Sequence, residues 1–315
     1  MSRCLSCYLP LASNEHDFHA ACARKLFGQS LAPESPYTEA DLEPLAREVI
    51  QSQVAVPGVQ AKLSLHITGS NREGKARRFT IVGLWGGYIL KPPTANYPQL
   101  PEVEDLTMHL AAATGIRVVP HSLIRMASGN LAYITRRVDR IRKNKLAMED
   151  MCQLTGRLTE DKYQGSYEQI ARAIQQYSAT PGLDLVNFFE LLLFSYLTGN
   201  ADMHLKNFSL LEQPGIGMIL SPAYDLLNTQ LVNPADQEEL ALTLNGKKRK
   251  ISKRDFEAAM SRAKLDERQQ ANILDKMRRA LPDWEGLIEA SFLSEGFKSR
   301  YKEIIQEKMS RLGLS

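Results

Sequence analysis

Asn200-Ala201-Asp202-Met203-His204-Leu205-Lys206-Asn207 is a polar stretch with apolar neighbours on both sides. Before it stands Val186-Asn187-Phe188-Phe189-Glu190-Leu191-Leu192-Leu193-Phe194. That run is apolar nearly all round, which predicts a helix over 185–197 buried in a domain centre. After it come Phe208-Ser209-Leu210-Leu211 and Met218-Ile219-Leu220, separated by Gln213-Pro214-Gly215. Two short strands around a Pro-Gly turn predict a hairpin. A hairpin returns the chain to its start, so Asp225, just past the second strand, is expected beside Asn207.

Toward the C-terminus the pattern is helical, around 253–265, 267–280 and 295–311. Toward the N-terminus a helix is expected over 167–177, and helical periodicity begins after Met148. Before that the period is that of strands. Residues 61–66 and 78–82 alternate, with a glycine-bounded turn from Gly69 to Gly74 between them. Tyr88-Ile89-Leu90-Lys91 is a short strand stopped by Pro92-Pro93. Residues 102–114 read as a helix with Leu106, Leu110 and Ala113 on one face, ending at Gly115. Strands follow around 118–126 and 131–135. The expectation is an α+β, two-lobed protein with a strand-rich N-lobe and a helical C-lobe, joined near 137–148 with a cleft between. The expected divisions are 1–45, a small Cys/His segment; 46–146, the N-lobe; and 147–315, the C-lobe.

The chain has 315 residues, 43% hydrophobic, enough to bury a large core. Lys and Arg total 39 against 36 Asp and Glu, a net charge of +3. That is too weak to argue for nucleic-acid binding over the whole molecule, and no direct DNA binding is expected. No apolar run approaches the roughly 20 residues of a membrane span, so no membrane partner is expected. Four cysteines in this length are too few for a disulfide scaffold. Without an apolar signal core after Met1-Ser2-Arg3-Cys4, a cytoplasmic protein with reduced thiols is expected.

Asp202 and Asn207 have four residues between them. In phosphoryl-transfer loops that spacing places an Asp that accepts the substrate hydroxyl proton and an Asn that holds Mg²⁺. The plain alternative is a polar surface loop. Asp225 adds a second oxygen ligand, and Mg²⁺ usually takes one or two protein carboxylates with phosphate and water. Its alternative is a helix N-cap for Ala223-Tyr224-Asp225-Leu226-Leu227. Lys91 ends a strand from which it can reach the α- and β-phosphates and pair with Glu104 of the next helix; its alternative is a solvated edge Lys. Together the four and Glu104 stand in kinase chain order.

These stretches resemble the HipA-like serine/threonine kinase toxins. Val54-Ala55-Val56-Pro57-Gly58-Val59-Gln60-Ala61-Lys62-Leu63-Ser64-Leu65 is similar to their phosphate-binding loop. Asp202 to Ser209 resembles their catalytic loop, and Ser221-Pro222-Ala223-Tyr224-Asp225-Leu226-Leu227 their metal-binding segment. Arg136-Arg137-Val138-Asp139-Arg140 and Glu149-Asp150-Met151-Cys152-Gln153 also match. The resemblance covers roughly residues 50–310. It implies a protein-kinase-like fold, ATP and Mg²⁺ as cofactors, and phosphorylation of an aminoacyl-tRNA synthetase, the tryptophanyl enzyme favoured, with arrest of translation. It implies Val56, Pro57, Gly58, Val59, Gln60, Lys62 and Lys91 on the ATP phosphates, with Glu104 as partner of Lys91. Arg136 and Val138 would offer hinge backbone to adenine. Asp202 would be the base, His204 and Lys206 would orient the loop or touch phosphate, and Asn207 and Asp225 would hold Mg²⁺.

About 50 residues precede the phosphate loop, fewer than in longer HipA proteins. That shortness resembles HipT, the kinase of three-component HipBST systems, and implies a HipS-like small antitoxin and a HipB-like DNA-binding antitoxin as partners. The autophosphorylated serine of the family's loop is replaced here by Ala55, and a second by Pro57, so the familiar autoinhibition is not expected to operate through them. Gly58 is the only glycine in a loop that has no GxGxxG. The competing reading is a catalytically silent kinase-fold binding module.

Two features stand apart. Cys4-x2-Cys7 and His19-x2-Cys22 supply four ligands at spacings compatible with tetrahedral Zn²⁺; alternatively the cysteines pack as small hydrophobes with Leu5, Leu9, Leu11 and Phe18. Arg137, Arg140, Arg142, Lys143 and Lys145 form a basic stretch, either a solvated loop or a docking patch for an acidic partner or for tRNA bound to the target enzyme.

Overall fold

The computed structural model describes residues 2–42, 44, 62–69, 77–82, 86–141 and 144–314. The chain divides into two compact units: 1–105 with 119–137 and 290–292, and 106–118 with 138–289 and 293–315.

The first unit is strand-rich. Helix α1 (Ala20–Phe27) ends at Gly28, whose φ of 72° is the left-handed C-terminal stop that glycine adopts without a Cβ penalty. Strands β1 (Leu63–Thr68), β2 (Arg78–Ile81) and β3 (Tyr88–Lys91) follow. Next come helix α2 (Leu100–Ala113), whose residues from Leu106 on belong to the second unit, and then β4 (His121–Arg125) and β5 (Leu131–Arg136). The strands make one antiparallel sheet in the order β2-β1-β3-β5-β4. Period-2 alternation turns Leu63 and Leu65 inward, where they join Phe79, Leu90, Leu123 and Ile134. Phe18, Leu26 and Phe27 of the Cys/His segment complete this core, with Phe27 edge-on to Phe79 at 5.9 Å. Helix α2 starts at Leu100, earlier than its periodicity implies, so Glu104 lies in its second turn.

The second unit is mostly helical. The basic stretch, expected as a loop, carries a two-stranded ribbon, β6 (Arg140–Ile141) against β7 (Asn144–Lys145). Arg140 also pairs with Asp139 at 2.6 Å. The change to helix is delayed by β8 (Met148–Asp150), which is too short to show a period. Asp150 then N-caps α3 (Met151–Leu154) in a capping box with Gln153. Helices α4 (Tyr167–Tyr177) and α5 (Pro181–Leu197) follow, and then the hairpin β9 (Ser209–Gln213) and β10 (Gly217–Leu220). The small sheet runs β10-β9-β8.

Short helix α6 (Thr229–Val232), α7 (Lys253–Arg262), α8 (Glu267–Ala290) and α9 (Glu295–Arg311) close the chain. Helix α8 continues past residue 280, straight through Pro282. The carbonyl that proline leaves unbonded is that of Arg278, on an exposed face. Beyond the break Trp284 is fully buried, its Nε1 donating to Leu110 O at 3.1 Å and Thr114 Oγ1 at 2.9 Å. That burial outweighs the local cost of the proline. Among the described residues no helix is long and apolar enough to cross a membrane.

Candidate active site

Helix α5 is the platform. Phe188, Phe189, Leu192, Leu193, Phe194 and Leu197 are all buried, so its C-terminal end cannot shift without disturbing the core. Gly199 makes the exit turn at φ +73°, and a Cβ there would stand 2.7 Å from Asn228 Oδ1 and 3.0 Å from Ile304 Cγ2. Only glycine suits both the backbone and the space.

The loop beyond is pinned at nearly every residue. Asn200 Oδ1 accepts from the Asp202 amide at 3.1 Å. Thr229 Oγ1 accepts from the Ala201 amide at 2.8 Å and donates to Gly199 O at 3.1 Å. The Tyr167 hydroxyl donates to Met203 O at 3.0 Å, and the Leu205 amide to Lys162 O at 3.1 Å. Asn207 Nδ2 donates to Asp202 O at 2.9 Å. The Asn207 amide nitrogen is thereby fixed inside the loop, and its side-chain oxygen is the atom left to act as a ligand.

Asp202 is half-buried, and its Oδ1 accepts from the Tyr163 hydroxyl at 2.6 Å. Burial, followed by the Asp202 carboxylate, holds the Tyr163 phenol well above its ordinary range, so it stays a donor. The His204 ring lies edge-on to Tyr163 at 5.0 Å, with its Nδ1 buried and lacking a hydrogen-bond partner among the described residues. Lys206 Nζ reaches Asp150 at 2.7 Å, which ties the loop to the cap of α3.

The hairpin does what its turn chemistry implies. Leu220 pairs with Leu210, and the Ser221 amide bonds Ser209 O at 2.9 Å. The Tyr224 hydroxyl donates to Lys206 O at 3.0 Å and meets Ser209 Oγ at 2.5 Å. The residue before Asp225 is thus tied to the residue before Asn207. The carboxylates of Asp202 and Asp225 both act electrostatically on Tyr163 and His204. Asp225 has φ 61°, a left-handed conformation that Asp tolerates better than most residues. It caps no helix; that work falls to Asn228, which caps α6 through the Leu231 amide at 2.9 Å. The capping reading of Asp225 is therefore set aside.

In the strand-rich unit, Lys91 Nζ donates to Glu104 Oε1, with both side chains nearly fully buried. Lys91 Nζ also lies 5.4 Å from the centre of the Tyr133 ring. A solvated edge lysine is excluded by that burial. The Arg136 amide is committed to Pro120 O at 2.8 Å, so it is not a free hinge donor for adenine. Val138 begins the next unit. Lys62 is exposed. Ala55, Val56, Pro57, Gly58, Val59 and Gln60 lie outside the described residues, as do Arg142 and Lys143.

The structure thus joins Lys91 with Glu104 in one unit, and Asp202, His204, Lys206, Asn207 and Asp225 in the other. Sequence reasoning missed Tyr163, Asp150 and Tyr224 as their partners. A capping box at Asp150-x2-Gln153 was available as a signal; nothing in the sequence around Tyr163 marks it. A cavity of about 460 Å³ elsewhere in the helical unit is lined by Asp236, Glu239, Arg249 and Arg311 among others, and by none of these residues.

Burial pushes the His204 imidazole below its ordinary value, against the pull of Asp202. A histidine with a depressed native pKa takes up its proton more readily when unfolded, so the native state loses stability as pH falls below roughly 6.5. Thermal melts between pH 8 and 5 are expected to show a steeper acid-side fall for the natural chain than for His204→Gln; equal slopes would contradict a buried neutral imidazole.

This is an α+β protein with a five-stranded antiparallel sheet in one unit and a helical second unit carrying the Asp-x4-Asn loop and Asp225. The HipA-like C-terminal domain matches residues 54–284, and the chain belongs to that family. It is 30% identical over 249 residues to the Sinorhizobium fredii protein Y4dM, whose name describes a kinase, covering 75% of this chain and 59% of that one. It is 27% identical over 213 residues to the serine/threonine-protein kinase toxin HipA of Shewanella oneidensis, covering 61% and 47%. The chain therefore spans about half the length of the curated relatives it matches. The solved Shewanella oneidensis HipA, in complex with HipB and operator DNA, superimposes with a TM-score of 0.69 at 23% identity, over 88% of this chain and 71% of that one. The Helicobacter pylori proinflammatory kinase CtkA superimposes at 0.53 and 17%, over 71% and 87%. Both likenesses are of fold.

Proposed function

We propose that the chain is a serine/threonine protein kinase that transfers the γ-phosphate of ATP to a protein hydroxyl. The observation that carries this reading is the pinned loop that holds Asp202 and Asn207 together, tied through Tyr224 to the segment carrying Asp225, with the carboxylates of Asp202 and Asp225 both acting on Tyr163 and His204. Asp202 accepts the hydroxyl proton of the substrate, with Tyr163 holding one of its oxygens in place. A carboxylate side chain and an amide oxygen are hard donors that fit Mg²⁺, and Asn207 and Asp225 would hold it. Bound Mg²⁺ supplies neutralisation of phosphate charge. Lys91, oriented by Glu104, would contact the ATP phosphates. Lys206, already paired with Asp150, acts in loop orientation rather than on phosphate.

The finer reading is a toxin of a toxin–antitoxin system, of the HipT-like subtype. Its target would be an aminoacyl-tRNA synthetase, the tryptophanyl enzyme favoured, and its effect arrest of translation. Its partners would be a HipS-like small antitoxin and a HipB-like DNA-binding antitoxin. Support comes from the named function of the Shewanella oneidensis relative and from the solved complex of that HipA with HipB.

Calorimetric titration with ATP separates this from a silent binding module. Binding that strengthens with Mg²⁺ and weakens with a chelator is expected. Indifference to Mg²⁺ would remove the role given to Asn207 and Asp225.

A further inference from the structure

The Cys/His segment does more than fill the core. The ligand atoms of Cys4, Cys7, His19 and Cys22 all lie within 4.8 Å of one another. His19 Nδ1 is 3.4 Å from Cys7 Sγ and 4.0 Å from Cys22 Sγ. Tetrahedral zinc, with Zn–S near 2.3 Å and Zn–N near 2.0 Å, puts neighbouring ligand atoms roughly 3.5–3.8 Å apart. The two histidine–sulfur separations lie close to that range, and no pair in the cluster exceeds 4.8 Å.

Three independent features point the same way. First, a backbone amide is aimed at a sulfur: Cys4 Sγ accepts from the amide of His19 at 3.5 Å. Amides aimed at sulfur stabilise thiolates, the form that binds metal. Tyr8 makes this knuckle by taking φ 63°, its amide returning to Cys4 O at 2.9 Å. Second, His19 Nε2 is 3.0 Å from Pro10 O. A proton on Nε2 satisfies that carbonyl and leaves Nδ1 as the lone-pair donor facing the sulfurs, the arrangement usual for ligating histidines, whose other ring nitrogen is held by a carbonyl or carboxylate. Third, packing as small hydrophobes accounts poorly for the set, because Cys7, His19 and Cys22 are all partly exposed. One disulfide would leave an odd thiol and the histidine aimed at it.

We infer that Cys4, Cys7, His19 and Cys22 bind one Zn²⁺ in a closed, structural Cys₃His site. Binding releases the three thiol protons to water, and four protein ligands leave no open position for chemistry. The site staples its segment to the sheet that carries Lys91. Leu5, between the first two ligands, accepts from the Leu123 amide at 3.3 Å and from Ser122 Oγ at 3.1 Å. Tyr8 donates to Asp105 Oδ2 at 2.7 Å, and Asp105 adjoins Glu104 on α2.

The test is the metal content of the full chain, purified without a metal-binding tag or chelator. One zinc per chain is expected, and cobalt substitution should give thiolate charge-transfer bands with tetrahedral d–d bands. Cys22→Ser should lose most of the zinc, whereas Cys152→Ser, outside the cluster, should keep it. Because Cys22→Ser can fail to fold, the natural chain is also titrated with a mercurial; zinc should leave in step with its thiols. Zinc well below one per chain after growth with added zinc would overturn the inference. So would full zinc retention in folded Cys22→Ser, or mercurial titration that modifies the thiols without releasing zinc.

Discussion

Asp202→Asn is expected to leave Mg·ATP affinity nearly unchanged while lowering phosphoryl transfer about 10²-fold or more, the scale of lost general-base work. Asp225→Asn is expected to weaken Mg-dependent nucleotide binding and to abolish transfer. The difference follows from when each carboxylate acts. Proton acceptance by Asp202 matters only in the transition state, whereas a ligand to Mg²⁺ on the phosphates matters in the ground state too. Asn is the apt replacement at both positions. At 202 it still accepts from Tyr163, and at 225 it tolerates the left-handed backbone, so neither loss is one of folding. Calorimetry with ATP and Mg²⁺, paired with label transfer, reads both effects. Loss of binding in Asp202→Asn with binding kept in Asp225→Asn would mean the roles are reversed. On the toxin reading proposed above, both variants should also relieve growth arrest on expression; full toxicity in either would detach the arrest from phosphorylation.

Glu104→Ala is expected to cost roughly 3–5 kcal/mol of stability, because it removes one partner of a buried ion pair. Lys91→Met breaks the same buried pair from the other side and should cost a similar amount. The double variant Lys91→Met/Glu104→Leu replaces the pair with apolar side chains of like volume and should recover most of that loss. Activity should not follow stability. Transfer is expected to fall about 10²-fold or more in the double variant, as when a preorganised electrostatic contact to the reacting group is removed. Urea denaturation and label transfer on the same preparations separate the two roles. A double variant with full transfer would leave the buried pair a structural one only.

How much of this was legible beforehand depended on periodicity. Helix α4 was read over its full range, and the β9–β10 hairpin was announced by a Pro-Gly turn between apolar runs. Those signals are local, so no tertiary knowledge is needed to read them. Other features were invisible for physical reasons. Strand β8 is three residues long and gains its identity from pairing with β9, a partner some sixty residues on in sequence. Helix α8 passes Pro282 because Trp284 is held by Thr114 and Leu110, contacts that a local reading counts as a helix end. Asp225 could be read from sequence as a metal ligand or as a helix cap, and its left-handed φ and the cap at Asn228 set the capping reading aside. Tyr163 follows a single turn of 3₁₀ helix with no pattern to mark it, yet it makes the hydrogen bond to Asp202.

The most direct test of the central claim is transfer of label from γ-labelled ATP, with Mg²⁺, by the purified chain in a cell extract. Phosphoamino-acid analysis and identification of the labelled band should follow. The account predicts a discrete protein labelled on serine or threonine, dependent on Mg²⁺ and lost with Asp202→Asn. Tight Mg·ATP binding with no protein labelled in any extract would contradict it, and would make the chain a nucleotide-binding module on a kinase-like fold.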